Sequence, residues 1–138
     1  MAATAAYTIQ GTLPELSRVA ALMTSFLEDQ ETPPAAIFAA NLALEEIVTN
    51  TIKYGLFPEV HPGISISVHV MADHVELVIE DEAAAFDPFS VETPDTATPL
   101  AERPVGGLGI HLIRNMLDTF SYERSGHRNI IRLTKRFS

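Results

Sequence analysis

Apolar residues recur at intervals of three and four in three segments of the chain, the period of one face of an α-helix. The first segment follows Thr12 and Glu15, a pair with the spacing of a capping box. The second begins at Thr32-Pro33-Pro34 and stops at Gly55, a residue type common just past a helix end. The predicted helices run to about residues 29, 54 and 118, and the third begins at the glycine-rich segment 106–109.

Other segments alternate apolar and polar residues, which is the period-two pattern of a half-buried β-strand. ISISVHVM at 64–71 and HVELVIE at 74–80 are separated by Ala72-Asp73 and predict a hairpin. A second hairpin is predicted around Gly126. The predicted strands span about residues 6–10, 64–71, 74–80, 120–123 and 129–135.

The resulting order, β-α-α-β-β-loop-α-β-β, predicts an α+β fold. We expect a two-layer sandwich in which a mixed, mostly antiparallel sheet carries the helices on one face. The connection at 82–104 shows neither period and is rich in proline and acidic residues. Loops of this length in compact domains are usually functional or disordered. No repeat or second unit is visible, so residues 1–138 are predicted to form one domain.

The composition excludes several classes of function. The 138 residues are 46% hydrophobic and 20% charged, as in globular proteins, and their net charge of −9 argues against a nucleic-acid partner. The chain has no cysteine, so disulfides and thiolate chemistry are excluded. The N-terminus lacks the pattern of a signal peptide, and no apolar run was expected to reach the ~20 residues of a membrane span. A cytoplasmic protein without a membrane partner is expected.

Gly106, Gly107 and Gly109 stand directly before the third predicted helix. Glycine allows a ligand to approach the backbone closely, and the free N–H groups of a helix's first turn favour an anion. A phosphate site is one interpretation of this segment. A flexible loop that enters a purely structural helix is the other, because short glycine motifs are not specific.

Glu46 and Asn50 are four residues apart on the second predicted helix and therefore share a face beside its apolar arc. A carboxylate and an amide oxygen one turn apart could orient a hydroxyl or hold a hard cation such as Mg²⁺. A solvated polar face is the alternative. Asp81 follows the predicted strand 74–80 and could accept a hydrogen bond from an exocyclic amine, or could simply stabilise a turn.

Taken in order along the chain, these segments resemble the GHKL, or Bergerat-fold, ATPases, and among them the anti-sigma-factor serine/threonine-protein kinases. Glu46-x-x-x-Asn50 is similar to the asparagine box of that family. Asp81 with Phe86-Asp87-Pro88 is similar to its aspartate box, and Gly106-Gly107-Leu108-Gly109 to its glycine box. The resemblance extends from about Tyr7 to Phe137.

The resemblance implies a role for each box. Glu46 would be the general base, and Asn50 would coordinate the Mg²⁺ of bound Mg-ATP. Asp81 would bind the adenine amine, beside Ala83 and Phe86. The four residues Gly106–Gly109, including Leu108, would hold the phosphates, and residues 90–105 would form a lid over the nucleotide.

Several positions depart from the family pattern, among them Thr51 and Tyr54 near the end of the second helix, and two bear on the adenine. Ala83 stands where the aspartate box usually has glycine, so its methyl group could crowd the adenine. The threonine usually found beside the adenine has only a weak candidate in Thr134.

The activity implied is transfer of phosphate from ATP to a serine or threonine of an anti-sigma-factor antagonist with a STAS domain. A sigma factor is a further possible partner, and the family suggests a homodimer. Alternatives are a binding module that holds nucleotide without transferring phosphate, a histidine-kinase-like ATPase domain, and a structural protein without a nucleotide. The histidine-kinase alternative is disfavoured because no dimerisation helix pair or phosphoaccepting histidine segment is recognisable.

Overall fold

The computed structural model describes residues 2–56, 63–90 and 107–138. Five strands and three α-helices occur in these ranges, in the predicted order. They are β1 (Ala3–Gln10), α1 (Leu13–Asp29), α2 (Pro34–Asn50), β2 (Gly63–Val70), β3 (His74–Asp81), α3 (Gly107–Met116), β4 (Thr119–Ser125) and β5 (Arg128–Arg136).

The two helix boundaries that matter most lie at the start of α1 and the end of α2. Thr12 caps α1 by accepting a hydrogen bond of 3.4 Å from the Glu15 N–H, as the capping-box spacing predicted. Regular α2 ends at Asn50, earlier than predicted, and continues as a π-helical turn from Thr51 to Leu56. Such wide turns are frequent at functional sites.

The strands form one sheet in the order β1-β2-β3-β5-β4, and every described strand pair is antiparallel. The expected α+β class with a mostly antiparallel sheet is confirmed, but no parallel pair of a mixed sheet occurs among the described residues. The reason is the β4–β5 hairpin. It places β5 between β3 and β4, which run in the same direction and would otherwise be parallel neighbours.

One face of the sheet carries the core. Alternate residues of β2 and β3 are buried, as their period-two pattern requires, and pack with α1, α2 and α3 in one apolar cluster. The opposite face of these strands is polar and partly exposed. The helices therefore cover a single face, as expected.

The segment Pro34–Lys53 is long and apolar enough to cross a membrane by length and composition, with a mean hydropathy of 1.2. The expectation that no segment reaches this length was therefore wrong. The cause is the packing of α2, which contacts both the sheet and the other helices and so is apolar over most of its circumference. The segment is half buried inside the fold and serves as its central helix.

Candidate nucleotide-binding site

Asp81 is the last residue of β3, and its side chain points to the core face of the sheet. Val75, Leu77 and Ile79 occupy the same alternating row and are buried. Asp81 continues this row and is only 4% exposed, although it is a carboxylate. A buried carboxylate is costly unless hydrogen bonds compensate it, so its partners define the site.

Two donors hold one oxygen of this carboxylate. The Ala83 N–H donates to Asp81 Oδ1 at 3.0 Å, and Asn129 Nδ2 donates to the same atom at 2.9 Å. Asn129 is the residue of β5 directly opposite Asp81 in the sheet and is 3% exposed. Among the described residues, Oδ2 receives no hydrogen bond, so it is the open acceptor of the group.

Ala83 fits its position without backbone strain. Among the described non-glycine residues, a positive φ occurs at Glu31 and not at Ala83. The backbone at Ala83 therefore does not require glycine. The Ala83 carbonyl accepts a hydrogen bond of 2.8 Å from Arg124 Nη1, which ties the turn after β3 to β4. The departure from the family pattern therefore affects the space beside Asp81 and not the conformation of the turn.

Glu46 and Asn50 lie on the side of α2 that faces α3 and the end of β3. Asn50 is 4% exposed and Glu46 is half buried, so the alternative of a solvated polar face is wrong. Ala43 and Ala39, one and two turns before Glu46, are fully buried on the same side. Small residues there allow the neighbouring elements to approach α2 closely.

The Oδ1 atom of Asn50 is buried and has no hydrogen-bond partner in the described part of the chain. Buried amide oxygens are nearly always paired with protein, water or an ion. A hard cation such as Mg²⁺ takes oxygen ligands of this kind. The donor atom at Asn50 therefore fits the magnesium that the resemblance implies.

Glu46 contacts the first turn of α3 at Gly109. A Cβ atom added at Gly109 would overlap the Glu46 carboxylate, so any larger residue here would force that carboxylate to move. Burial raises the pKa of the Glu46 carboxyl above its ordinary value, Lys53 opposes this shift, and Glu45 adds to it. A carboxylate with a raised pKa is a stronger base than an exposed one.

A cavity connects the end of α2 with the end of β3. Asn50, Asp81, Ala83 and Phe86 line it, as do Asn129 and other residues of β5, α2 and the turn after β3. Its volume is about 10 Å³, room for about one water molecule and far below the ~300–1,000 Å³ of most small-molecule pockets. A ligand larger than a water molecule therefore requires the residues that line this cavity to move apart.

The structure thus places residues of all three sequence motifs side by side. Asn50 and Asp81 share the cavity, and Glu46, one turn before Asn50, contacts Gly109. Gly107 is the first residue of α3. Gly106, the side chain of Leu108 and the expected lid after Ser90 lie outside the described residues.

Thr134, the weak candidate for the threonine beside the adenine, does not lie beside Asp81. It pairs with Glu76 in β3 and Thr119 in β4, towards the opposite end of the sheet from Asp81. The residue in that place is Asn129, which sequence reasoning missed. Its signal was present, since Asn129 begins the alternating row that continues with Ile131 and Leu133 and is its polar member.

Comparison with known proteins identifies the family of the chain. Residues 9–135 match the family model described as a histidine kinase-like ATPase domain. The serine/threonine-protein kinase BtrW of Bordetella bronchiseptica is 29% identical over 97 residues, which cover 70% of this chain and 68% of that protein. The serine-protein kinase RsbW of Listeria innocua is 25% identical over 60% of this chain, and the chain covers 55% of that protein's length.

A solved structure has the same fold. The crystal structure of the RsbU and RsbW domains of Rv1364c from Mycobacterium tuberculosis matches 97% of this chain with a TM-score of 0.65, at 14% identity, and 32% of that longer chain is covered. The chain therefore belongs to the histidine kinase-like ATPase domain family, the GHKL or Bergerat-fold ATPases, and it is similar to proteins named as serine- or serine/threonine-protein kinases.

Proposed function

We propose that residues 1–138 form one cytoplasmic ATP-binding domain that transfers the γ-phosphoryl group of Mg-ATP to a serine or threonine of a partner protein. One observation carries the proposal. The helix that bears Glu46 and Asn50 contacts the start of α3 through Gly109 and also lines the cavity of Asp81. Helix α2 therefore connects residues of all three motifs, which supports a nucleotide that extends from Asp81 to the start of α3.

Each group in this volume has a chemical task in the proposal. Asp81 accepts a hydrogen bond from the adenine amine through Oδ2, with Ala83 and Phe86 beside the base. The backbone N–H groups of Gly106–Gly109 hold the phosphates at the start of α3, where the helix dipole favours negative charge. Asn50 Oδ1 is a ligand of Mg²⁺, which when bound neutralises charge on the phosphates.

Glu46 is the proposed general base. Its carboxylate takes the proton of the partner's hydroxyl while that oxygen forms a bond to the γ-phosphorus. The bond from the γ-phosphorus to the bridging oxygen breaks, and ADP leaves. The half-buried position of Glu46 supports this role, because a raised pKa makes it a better proton acceptor.

The partner in this proposal is an anti-sigma-factor antagonist with a STAS domain, and a sigma factor is a second partner of the nucleotide-bound form. The names of the kinases RsbW and BtrW among the relatives support a kinase of this group. A homodimer is the assembly that the family suggests. The chief alternative is a module that binds nucleotide and partner without transfer.

Binding of Mg-ATP should raise the thermal unfolding midpoint of the protein. A ligand at a hundred times its dissociation constant adds about 2.7 kcal/mol to the free energy of unfolding. For a domain of this length the midpoint would rise by about 8–13 °C. Differential scanning fluorimetry with and without Mg-ATP measures the shift. An unchanged midpoint at millimolar nucleotide would contradict the proposal.

Asn50→Ala should remove the magnesium dependence of that shift. The substitution deletes the unpaired Oδ1 atom and breaks no described hydrogen bond of that oxygen, so the fold should persist. The midpoint is compared in ATP with Mg²⁺ and in ATP with a chelator. If the variant still needs magnesium for the full shift, Asn50 is not the ligand.

As the solution is made more acidic, the rate of phosphate transfer should fall. The fall should begin at a higher pH than it would if the base were a glutamate with the ordinary pKa. Burial raises the pKa of the Glu46 carboxyl above its ordinary value, and the base must be ionised to act. The rate should therefore rise with pH through the raised pKa and level off above it. A profile of kcat/KM against pH tests this, and Glu46→Gln should abolish the acid limb. A limb at the ordinary glutamate value would contradict the assignment.

A further inference from the structure

We infer that Asn129 is a positioning residue that determines which oxygen of Asp81 faces the cavity, and so makes the site selective for a 6-aminopurine. The inference rests on the proposed function. It concerns how this chain holds its aspartate, and it comes from the hydrogen bonds of one buried side chain.

The Asn129 carboxamide has no remaining capacity for a ligand. Its Oδ1 atom accepts hydrogen bonds from Tyr122 Oη at 2.7 Å and from Arg124 Nη1 at 3.1 Å. A carbonyl oxygen has two lone pairs, so both are used. The two donors also determine the orientation of the amide, because they require the oxygen to face β4.

The other end of the amide therefore faces the turn after β3. Nδ2 donates to Asp81 Oδ1 at 2.9 Å and to the Ala84 carbonyl at 3.0 Å, which uses both of its protons. Asn129 lines the cavity, but its side chain has no free donor or acceptor with which to bind a ligand. Its effect on a nucleotide must pass through Asp81.

Asp81 Oδ1 is saturated by Asn129 and by the Ala83 N–H. Both donors hold the carboxylate in one rotational state, with Oδ2 as the remaining acceptor. An exocyclic amine at position 6 of a purine can donate to Oδ2, whereas a purine without this amine leaves the buried oxygen unpaired. Leaving a buried charged acceptor unpaired costs more than the bond itself contributes.

The test compares the affinities of the wild-type protein for ATP and for purine riboside triphosphate, which lacks the 6-amino group. A hydrogen bond to a charged group predicts a preference for ATP of about 10- to 100-fold. Asn129→Asp keeps the acceptor for Tyr122 and Arg124 but removes both donors. The ratio of the affinities for ATP and for purine riboside triphosphate should then fall towards one. Circular dichroism should show that the variant remains folded.

Asn41→Asp is the matched control. Asn41 also donates through Nδ2 to two acceptors, Thr24 Oγ1 and the Ile37 carbonyl, but it lies on the other side of α2 from the cavity. This variant loses a comparable pair of hydrogen bonds and should keep the wild-type preference. A similar fall in both variants would mean that general destabilisation, and not positioning, lowers the preference, and would overturn the inference.

Asp81→Asn gives a second readout that does not depend on the folding of an Asn129 variant. Asn129 and the Ala83 N–H should hold the new amide by its oxygen and turn its NH₂ group into the cavity. The variant should therefore bind inosine triphosphate, with its 6-oxo group, more tightly than ATP. Continued preference for ATP would overturn the inference, as would an unchanged preference in folded Asn129→Asp. Failure of the wild type to bind either triphosphate would instead overturn the proposed function.

Discussion

Glu46→Gln should lower the rate of phosphate transfer by about 10²- to 10⁴-fold while ATP binding is retained, since that is the usual contribution of a positioned general base. The amide keeps the shape of the side chain against α3 but cannot take the hydroxyl proton. Transfer is measured with labelled ATP and a STAS-domain substrate, and binding by the thermal shift with Mg-ATP. An unchanged transfer rate would favour another base, and absence of transfer in the wild type would favour the binding-module alternative.

The same substitution should stabilise the protein at neutral pH. The pKa of Glu46 is higher in the folded state than in the unfolded chain because burial penalises its charge. This penalty is fully present above the folded pKa and disappears as the pH falls below the unfolded value. The unfolding midpoint of Glu46→Gln should therefore exceed that of the wild type at neutral pH, and the difference should shrink in acid.

Glu45→Gln is the matched control for both effects. Glu45 precedes Glu46 on α2 but is exposed, so its carboxylate lies away from the cavity. The control removes the same charge by the same exchange of a carboxylate oxygen for an amide nitrogen. We expect it to leave transfer nearly unchanged, and a loss equal to that of Glu46→Gln would indicate a general charge effect instead of base catalysis.

Gly109→Ala should lower transfer by about 10²-fold, the loss that a displacement of 1 Å can cause in a reacting group. The added Cβ overlaps the Glu46 carboxylate, which is the far end of a flexible side chain and can move aside. The fold should therefore survive. Alanine also favours a helix over glycine by up to about 1 kcal/mol, so the unfolding midpoint should not fall.

Two comparisons make this prediction specific. Gly63→Ala adds the same methyl group at the start of β2, where its nearest atom would be Thr8 Cγ2 at an ordinary 3.6 Å, and should leave transfer unchanged. In the Glu46→Gln background, Gly109→Ala should cause little further loss, because both act through the same carboxylate. Fully additive losses would show that Gly109 acts independently of Glu46.

Much of the secondary structure could be predicted from local pattern. The order of the elements was predicted correctly, and the alternation in β3 explains why Asp81 points to the core. The end of α2 was predicted less well, because the change from an α-helix to a π-helical turn after Asn50 leaves no sign in the apolar period. The mostly antiparallel sheet was predicted correctly, but the order of its strands was not predicted, since strand order is not a local property.

The sequence by itself determined which residues share a face of one element. Glu46 and Asn50 lie together because they are one helical turn apart, and Asp81 is buried because it continues an alternating apolar row. Only the tertiary structure decided which elements meet. It brought Gly109 against Glu46 and placed Asn129 opposite Asp81 by inserting β5 between β3 and β4. Periodicity reflects the geometry within a single helix or strand, whereas these contacts depend on how separate elements pack and on the order of strands in the sheet.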